Sequence, residues 1–240
     1  IVSITPDFNP TAIHADLWIS PRPGTDAALA LAACKVIVDE NLHDVPYVIE
    51  QTDLPLLVRT DTRQFLREAD VVAGGRQECF GWWDGKKQQV VWSSSSMAVA
   101  VEQRTLRLGP DDHPVLEPEG ATATLLSGAT VELRSGFSIM REKLEAYDLA
   151  SAAQITGVHA NVIRRFAREF ATAKSAMIYA GAAAGKILHG DLVQRSQILM
   201  AALTGNNGRA GGGWQEMTFF ELDGKMLAAF VDHPSDLAPD

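Results

Sequence analysis

Two aspartates and a glycine-rich stretch are the residues whose types and spacing could do chemistry in this sequence. Asp7 follows Thr5 and Pro6 at the end of a short β-branched run, Ile1, Val2 and Ile4. Asp26 follows Pro23, Gly24 and Thr25, which themselves follow a second apolar run, Leu17-Trp18-Ile19. A carboxylate at the start of a helix can accept two parallel N–H bonds from a purine edge. The neighbouring first-turn amides and the helix dipole favour anions. The plainer reading is that Asp7 makes a turn and that Thr25 or Asp26 caps a helix. A second candidate follows the apolar run Ser175–Ala180: Gly181, Gly185, Lys186 and His189, in GAAAGKILHGD. Strand, glycine loop and helix together are an arrangement that cradles phosphates. The P-loop needs four residues between its glycines, then Lys and Ser/Thr. Here three intervene and Ile follows the lysine, which excludes that nucleotidase motif. GxGxxG is absent too, so a standard NAD site is unsupported. The plain alternative makes Gly181 and Gly185 turn residues, and Lys186 and His189 surface residues.

The elements that must position these residues are readable from pattern. Pro6 and Pro10 exclude a central strand, so residues 1–19 read as strand, turn, strand. Pro21 and Pro23 end the second strand. Ala27–Val38 has almost no polar side chain and reads as a helix buried on most faces. Asp44 can cap a short helix in DVPYVIEQT, and Asp61 or Thr62 another helical turn through RQFLREAD. Between Gly74 and Gly136 the pattern changes. CFGWWDGKKQQVVW reads as a hairpin turning at Asp84-Gly85, and ATATLLSGATVELRS as one turning at Ser127-Gly128. Trp82, Trp83 and Trp92 are read as packing residues. Helices return with FSIMREKLEAY, a turn capped by Asp148, and VHANVIRRFAREFATA. In the last, Val162, Ile163, Phe166 and Phe170 face inward, and Arg164, Arg165, Arg168 and Glu169 form a solvated face. LVQRSQILMAALTG is a further helix. It ends in GNNGRAGGGW, more glycine than a helix stop requires, which indicates close backbone approach to something.

Composition narrows the function classes. The net charge of -9 over 240 residues, without a basic run, argues against nucleic-acid binding. A bound nucleotide needs only local donors and stays compatible. Cys34 and Cys79 form no metal-ligand spacing, and Cys34 reads as a core thiol. His14, His43, His113, His159 and His233 are scattered, with no HExxH or HxH pattern, and read as hydrogen-bonded or exposed residues. No Ser-His-Asp set can be assigned. No stretch reaches the roughly 18 apolar residues of a bilayer span. The sequence starts on Ile in mid-strand and closes on PSDLAPD, so it reads as a piece of a longer chain.

ITPDFNPTAIHADLWISPRPGTDAALALA resembles a segment of the molybdopterin oxidoreductases of the dimethyl-sulfoxide reductase family. ALTGNNGRAGGGW resembles that family's later glycine-rich segment, and QTDLPLLVR and TGVHANVIRRFARE match in kind and order. The resemblance is to the respiratory or periplasmic branch: nitrate, selenate and chlorate reductases, and dimethylsulfide and ethylbenzene dehydrogenases. It covers most of the chain and is thin in the ribbon region. The resemblance implies an α/β fold of Rossmann-like doubly wound parallel sheets in two partial domains. Residues 1–73 would end the first dinucleotide-binding domain, 74–147 would be a β-ribbon excursion, and 148–240 would start the second. It implies a molybdenum-bis(molybdopterin guanine dinucleotide) cofactor, with electrons passing to an iron–sulfur cluster. Asp26 would then accept guanine N–H donors, Asp7 would meet ribose or base, and Gly181–Asp191 would lie against the second pterin or its phosphates.

The implied partners are a small-molecule substrate, an iron–sulfur electron-transfer subunit and a haem or membrane-anchor subunit. The implied location is the periplasm. The cysteine cluster for iron–sulfur, the molybdenum-ligating residue and the closing domain have no match here. The expectation is therefore that residues 1–240 alone bind no molybdenum and are inactive. The rival class is a cofactor-free α/β interaction module derived from the same family. An upstream His/Cys cluster and an Asp preceding this segment would favour the enzyme.

Overall fold

The computed structural model describes residues 1–93, 108–181 and 186–216. Strand β1 (Val2–Ile4) runs parallel to β2 (Leu17–Ile19), with Val2 opposite Leu17 and Ile4 opposite Ile19. Parallel neighbours need a crossover. The stretch expected to be a plain turn supplies it, with a one-turn helix α1 (Pro10–Ile13), capped by Asn9 Oδ1 on the Ala12 amide. Helix α2 (Asp26–Asp39) follows β2 and is buried on most sides, including Leu29, Ala33, Cys34 and Ile37. Helix α3 (Val45–Gln51) starts at Asp44, whose Oδ1 accepts from the Tyr47 amide at 3.1 Å.

The helical turn expected across RQFLREAD is mostly extended. Strand β3 (Leu57–Arg59) precedes it, and only α4 (Glu68–Val71) is helical. The reason is tertiary. Leu66 is fully buried, its amide donates to Leu57 and its carbonyl accepts from Gly81. Asp61 is held by the Arg59 guanidinium instead of capping a helix.

The ribbon region forms the two expected hairpins. Strand β4 (Gly81–Asp84) pairs antiparallel with β5 (Gln89–Trp92). Strand β6 (Thr122–Thr124) pairs with β7 (Thr130–Ser135). Strand β7 also pairs with β3, so the ribbon is knitted into the segment before residue 73. The tryptophans pack as expected: Trp82 lies with Ile49 and Leu56, Trp83 with Leu57, Leu66 and Leu133, and Trp92 against that second cluster.

Helices α5 (Gly136–Leu144), α6 (Leu149–Thr156) and α7 (Ala160–Thr172) follow, with a 3-10 turn (Glu145–Tyr147) before α6. Ile163, Phe166 and Phe170 of α7 are buried, Val162 is half-buried against the same core, and Arg164, Arg165, Arg168 and Glu169 are exposed. Strand β8 (Met177–Ala180), helix α8 (Gly190–Leu203) and strand β9 (Gly213–Glu216) complete the described chain, with β8 and β9 parallel. One apolar cluster joins Ile19 and α2 to Phe137, Ala152, Ile163, Phe166, Met200 and Leu203. Helix α2, from the segment expected to close a first domain, thus shares a core with α6, α7 and α8. The class is mixed α/β, with parallel strand–helix units at both ends and antiparallel ribbons between.

Candidate functional site

The parallel pairing of β1 and β2 sends both candidate loops off the same strand ends. Thr5, Pro6 and Asp7 leave the carboxyl end of β1. Pro23, Gly24, Thr25 and Asp26 leave the carboxyl end of β2. In open α/β sheets this edge is where ligands bind. The two loops are tied together. The Thr5 amide donates to Ile19 at 3.0 Å, Trp18 Nε1 donates to Thr5 O at 3.0 Å, and Ser20 Oγ donates to Pro6 O at 3.1 Å.

The start of α2 is open. Thr25 occupies the N-cap position, but its side chain accepts no first-turn N–H. Instead its hydroxyl donates to Arg22 O at 2.6 Å. Asp26 is the first helical residue and is half-buried. Among the described residues neither the Asp7 nor the Asp26 carboxylate meets a cation or accepts a hydrogen bond. Both readings of Asp26 survive in part: it sits at the helix start, yet its carboxylate caps nothing. Gly24 has φ +83° and no atom within 4 Å of the position a Cβ would take, so the turn needs glycine and its outer side is free.

The second candidate is more open still. Gly181 follows β8, and among the described residues no atom lies within 4 Å of its missing Cβ. Gly185 lies outside the described residues, as does His233. Lys186 and His189 are exposed. His189 is at the N-cap of α8 with φ 58°, a left-handed conformation uncommon outside glycine, and makes no side-chain cap. The two strand–helix units are related by α2 and α8. Cys34 Sγ lies 3.8 Å from Ser196 O, and the Asp44 amide donates to Leu203 O at 2.8 Å. Asp44 lies beyond the end of α2, and the two helices pack against each other in the shared core.

Other singled-out residues stay structural. His159 Nδ1 accepts from the Asn161 amide and caps α7. His43 is packed 5.2 Å from the Phe137 ring, with a buried Nδ1 that has no partner, and burial pushes its pKa down. Arg164 and Arg168 pair with Glu40, and Arg165 with Glu169, as a solvated face would. The glycine-rich loop after α8 approaches its own chain. A Cβ on Gly205 would lie 2.5 Å from Asp44 Oδ2, and one on Gly212 would lie 2.7 Å from Asn206 O. Among the described residues no group of His, Cys, Asp and Glu is placed to hold a metal ion. Arg22 was not singled out by motif, although a lone cation within Pro-Arg-Pro-Gly marks it.

The start of α2 offers first-turn amides without a side-chain cap, the half-buried Asp26 carboxylate without a partner among the described residues, and a glycine that leaves the approach clear, a set with room and polar groups for a nucleotide. The molybdopterin oxidoreductase family model matches residues 1–234. The chain is 40% identical to the perchlorate reductase subunit alpha of Dechloromonas aromatica, over 98% of this chain and 28% of that protein. It is 36% identical to the dimethylsulfide dehydrogenase subunit alpha of Rhodovulum sulfidophilum, over 92% of this chain and 24% of that protein. Among solved structures, acetylene hydratase from Pelobacter acetylenicus superposes with a TM-score of 0.50 at 20% identity, over 88% of this chain and 18% of that one, a likeness of fold. The chain thus spans about a quarter of the length of these curated relatives. It belongs to the molybdopterin oxidoreductase family.

Proposed function

We propose that this chain is part of the catalytic subunit of a molybdenum oxidoreductase, and that its two strand–helix units hold the nucleotide arms of a bis(molybdopterin guanine dinucleotide) cofactor. The observation that carries this reading is the unpartnered Asp26 carboxylate at the uncapped start of α2. Guanine offers two adjacent N–H donors, and a carboxylate accepts both in parallel. The first-turn amides of α2 favour a nearby phosphate. Asp7 follows Thr5 and Pro6, whose carbonyls accept from Trp18 and Ser20, and would meet the ribose or base. Gly181, Lys186 and His189, around the start of α8, supply space and two donors for the second arm. When bound, the cofactor supplies two-electron chemistry, oxygen-atom transfer or hydroxylation with water. The protein's part is to bind, orient and tune it.

The relatives' names support a reductase or dehydrogenase acting on a small-molecule substrate. Their designation as alpha subunits supports partner subunits, of which we infer an iron–sulfur electron-transfer protein. An iron–sulfur cluster in the same subunit and a periplasmic location complete the proposal. The test is Asp26→Ala in the full-length subunit, with guanine nucleotide released by acid and counted per protein. Reduced nucleotide at an unchanged unfolding temperature supports the reading. Full nucleotide with lost stability returns Asp26 to a structural role.

A further inference from the structure

The loop carrying Gly24 and Asp26 is clamped to an element far along the chain. The Arg22 amide donates to Thr156 O at 2.8 Å. Its guanidinium Nη1 donates to Gln154 O at 2.5 Å and Ile155 O at 3.2 Å. These carbonyls belong to the last turn of α6, where a helix leaves acceptors without intrahelical partners and carries partial negative charge. Helix α6 has no basic residue of its own in that turn. Arg22 supplies the cation from 132 residues away. The anchor beneath is firm: Thr156 is fully buried, its hydroxyl donates to Ala152 O, and it accepts from the Val158 amide.

The other side of Arg22 faces the candidate site. Arg22 O accepts from both the Thr25 amide, at 3.1 Å, and the Thr25 hydroxyl, at 2.6 Å. Thr25 is the residue that would otherwise cap α2, since threonine at this position commonly accepts a first-turn N–H. Held at Arg22 O, the Thr25 hydroxyl oxygen accepts from none of those amides.

We propose that Arg22 is a positioning residue for the guanine end of the dinucleotide. By fastening the loop to the end of α6 it holds Thr25 off the α2 amides and fixes the start of α2, and Asp26 with it, in place. Arg22 itself touches no cofactor atom. The inference rests on the reading of Asp26 as the guanine acceptor.

The experiment uses the full-length, cofactor-loaded subunit with four variants: Arg22→Ala, Arg22→Lys, Lys35→Ala and Asp26→Ala. Lys35 is the control for general loosening, because it clamps α2 to Glu145 at 2.9 Å, away from the loop. The readouts are the rate of guanine-nucleotide loss after dilution and the unfolding temperature. Arg22→Ala should speed loss about fivefold, the scale of one ordinary exposed hydrogen bond. Arg22→Lys should fall between, because its ammonium can still donate to one of the α6 carbonyls. Lys35→Ala should lower the unfolding temperature and leave the loss rate unchanged. Wild-type loss from Arg22→Ala, or equal acceleration by Lys35→Ala, overturns the inference. If Arg22→Ala does not fold, Arg22→Lys decides: faster loss supports the proposal and wild-type loss refutes it. Asp26→Ala keeps the two claims apart. Nucleotide retained in that variant refutes the guanine reading itself, whereas loss there without loss in either Arg22 variant refutes the role of Arg22 alone.

Discussion

Replacing Gly205 with alanine tests why the loop after α8 is so rich in glycine. Gly205 has φ +63°, a conformation that costs an L-residue about 1 kcal/mol. Its new methyl would also lie 2.5 Å from Asp44 Oδ2 and 3.0 Å from Asp44 Cγ. Asp44 cannot swing aside freely. Its amide is bonded to Leu203 O at 2.8 Å, and its Oδ1 caps α3 through the Tyr47 amide at 3.1 Å. Moving the carboxylate gives up that cap, a loss of about 1 kcal/mol. Gly205→Ala should therefore destabilise by about 2 kcal/mol, read as a lower urea midpoint at constant slope. A double-mutant cycle sharpens the point. Asp44→Ala alone should cost about 1 kcal/mol, and the double variant about 2 kcal/mol, less than the sum, because the clash disappears with the carboxylate. Strict additivity, or a Gly205→Ala cost below about 0.5 kcal/mol, would refute the steric argument.

Two further outcomes follow from buried groups. Burial pushes the Asp84 carboxyl up, but N–H bonds from Lys87, His113 and Lys86, with the Lys87 ammonium, outweigh it and hold the pKa at about 2 against an ordinary 3.8. A folded pKa below the unfolded value stabilises above the ordinary range and is lost as pH falls. The unfolding temperature should thus drop more steeply between about pH 4 and 2 in wild type than in Asp84→Asn, and parallel curves would contradict this. Cys34 and Cys79 are fully buried, and burial raises both thiols above their ordinary pKa. A thiol reagent at pH 8 should label neither until the protein unfolds, and rapid native labelling of Cys34 would remove α2 from the core.

Most elements were legible because their signals are local. Pro21 and Pro23 stop β2, Thr25-Asp26 open α2, Asp148 caps α6 through the Ala150 and Ser151 amides, and Asp84-Gly85 turns a hairpin. The error across RQFLREAD has a non-local cause: Leu66 is drawn into extended pairing with residues on both β3 and β4, which a helical spacing cannot foretell. The glycine-rich loop reads as a close approach, but its partners, Asp44 and the Asn206 carbonyl, are fixed only by packing. The site was half legible. The aspartates and glycines announce a strand-to-helix cradle. The Arg22 clamp onto α6 spans too many residues to be seen in any window of sequence. Likewise, the packing of α2 with α8 in one core exists only in the folded chain.

The measurement that bears most directly on the central claim is the guanine nucleotide content of Asp26→Asn in the full-length subunit, set beside its unfolding temperature. Asparagine serves a helix start about as well as aspartate, but it offers one acceptor and one donor where guanine presents two donors. Nucleotide content well below wild type at an unchanged unfolding temperature is the predicted result. Wild-type nucleotide content in that variant would contradict the assignment of Asp26 to guanine.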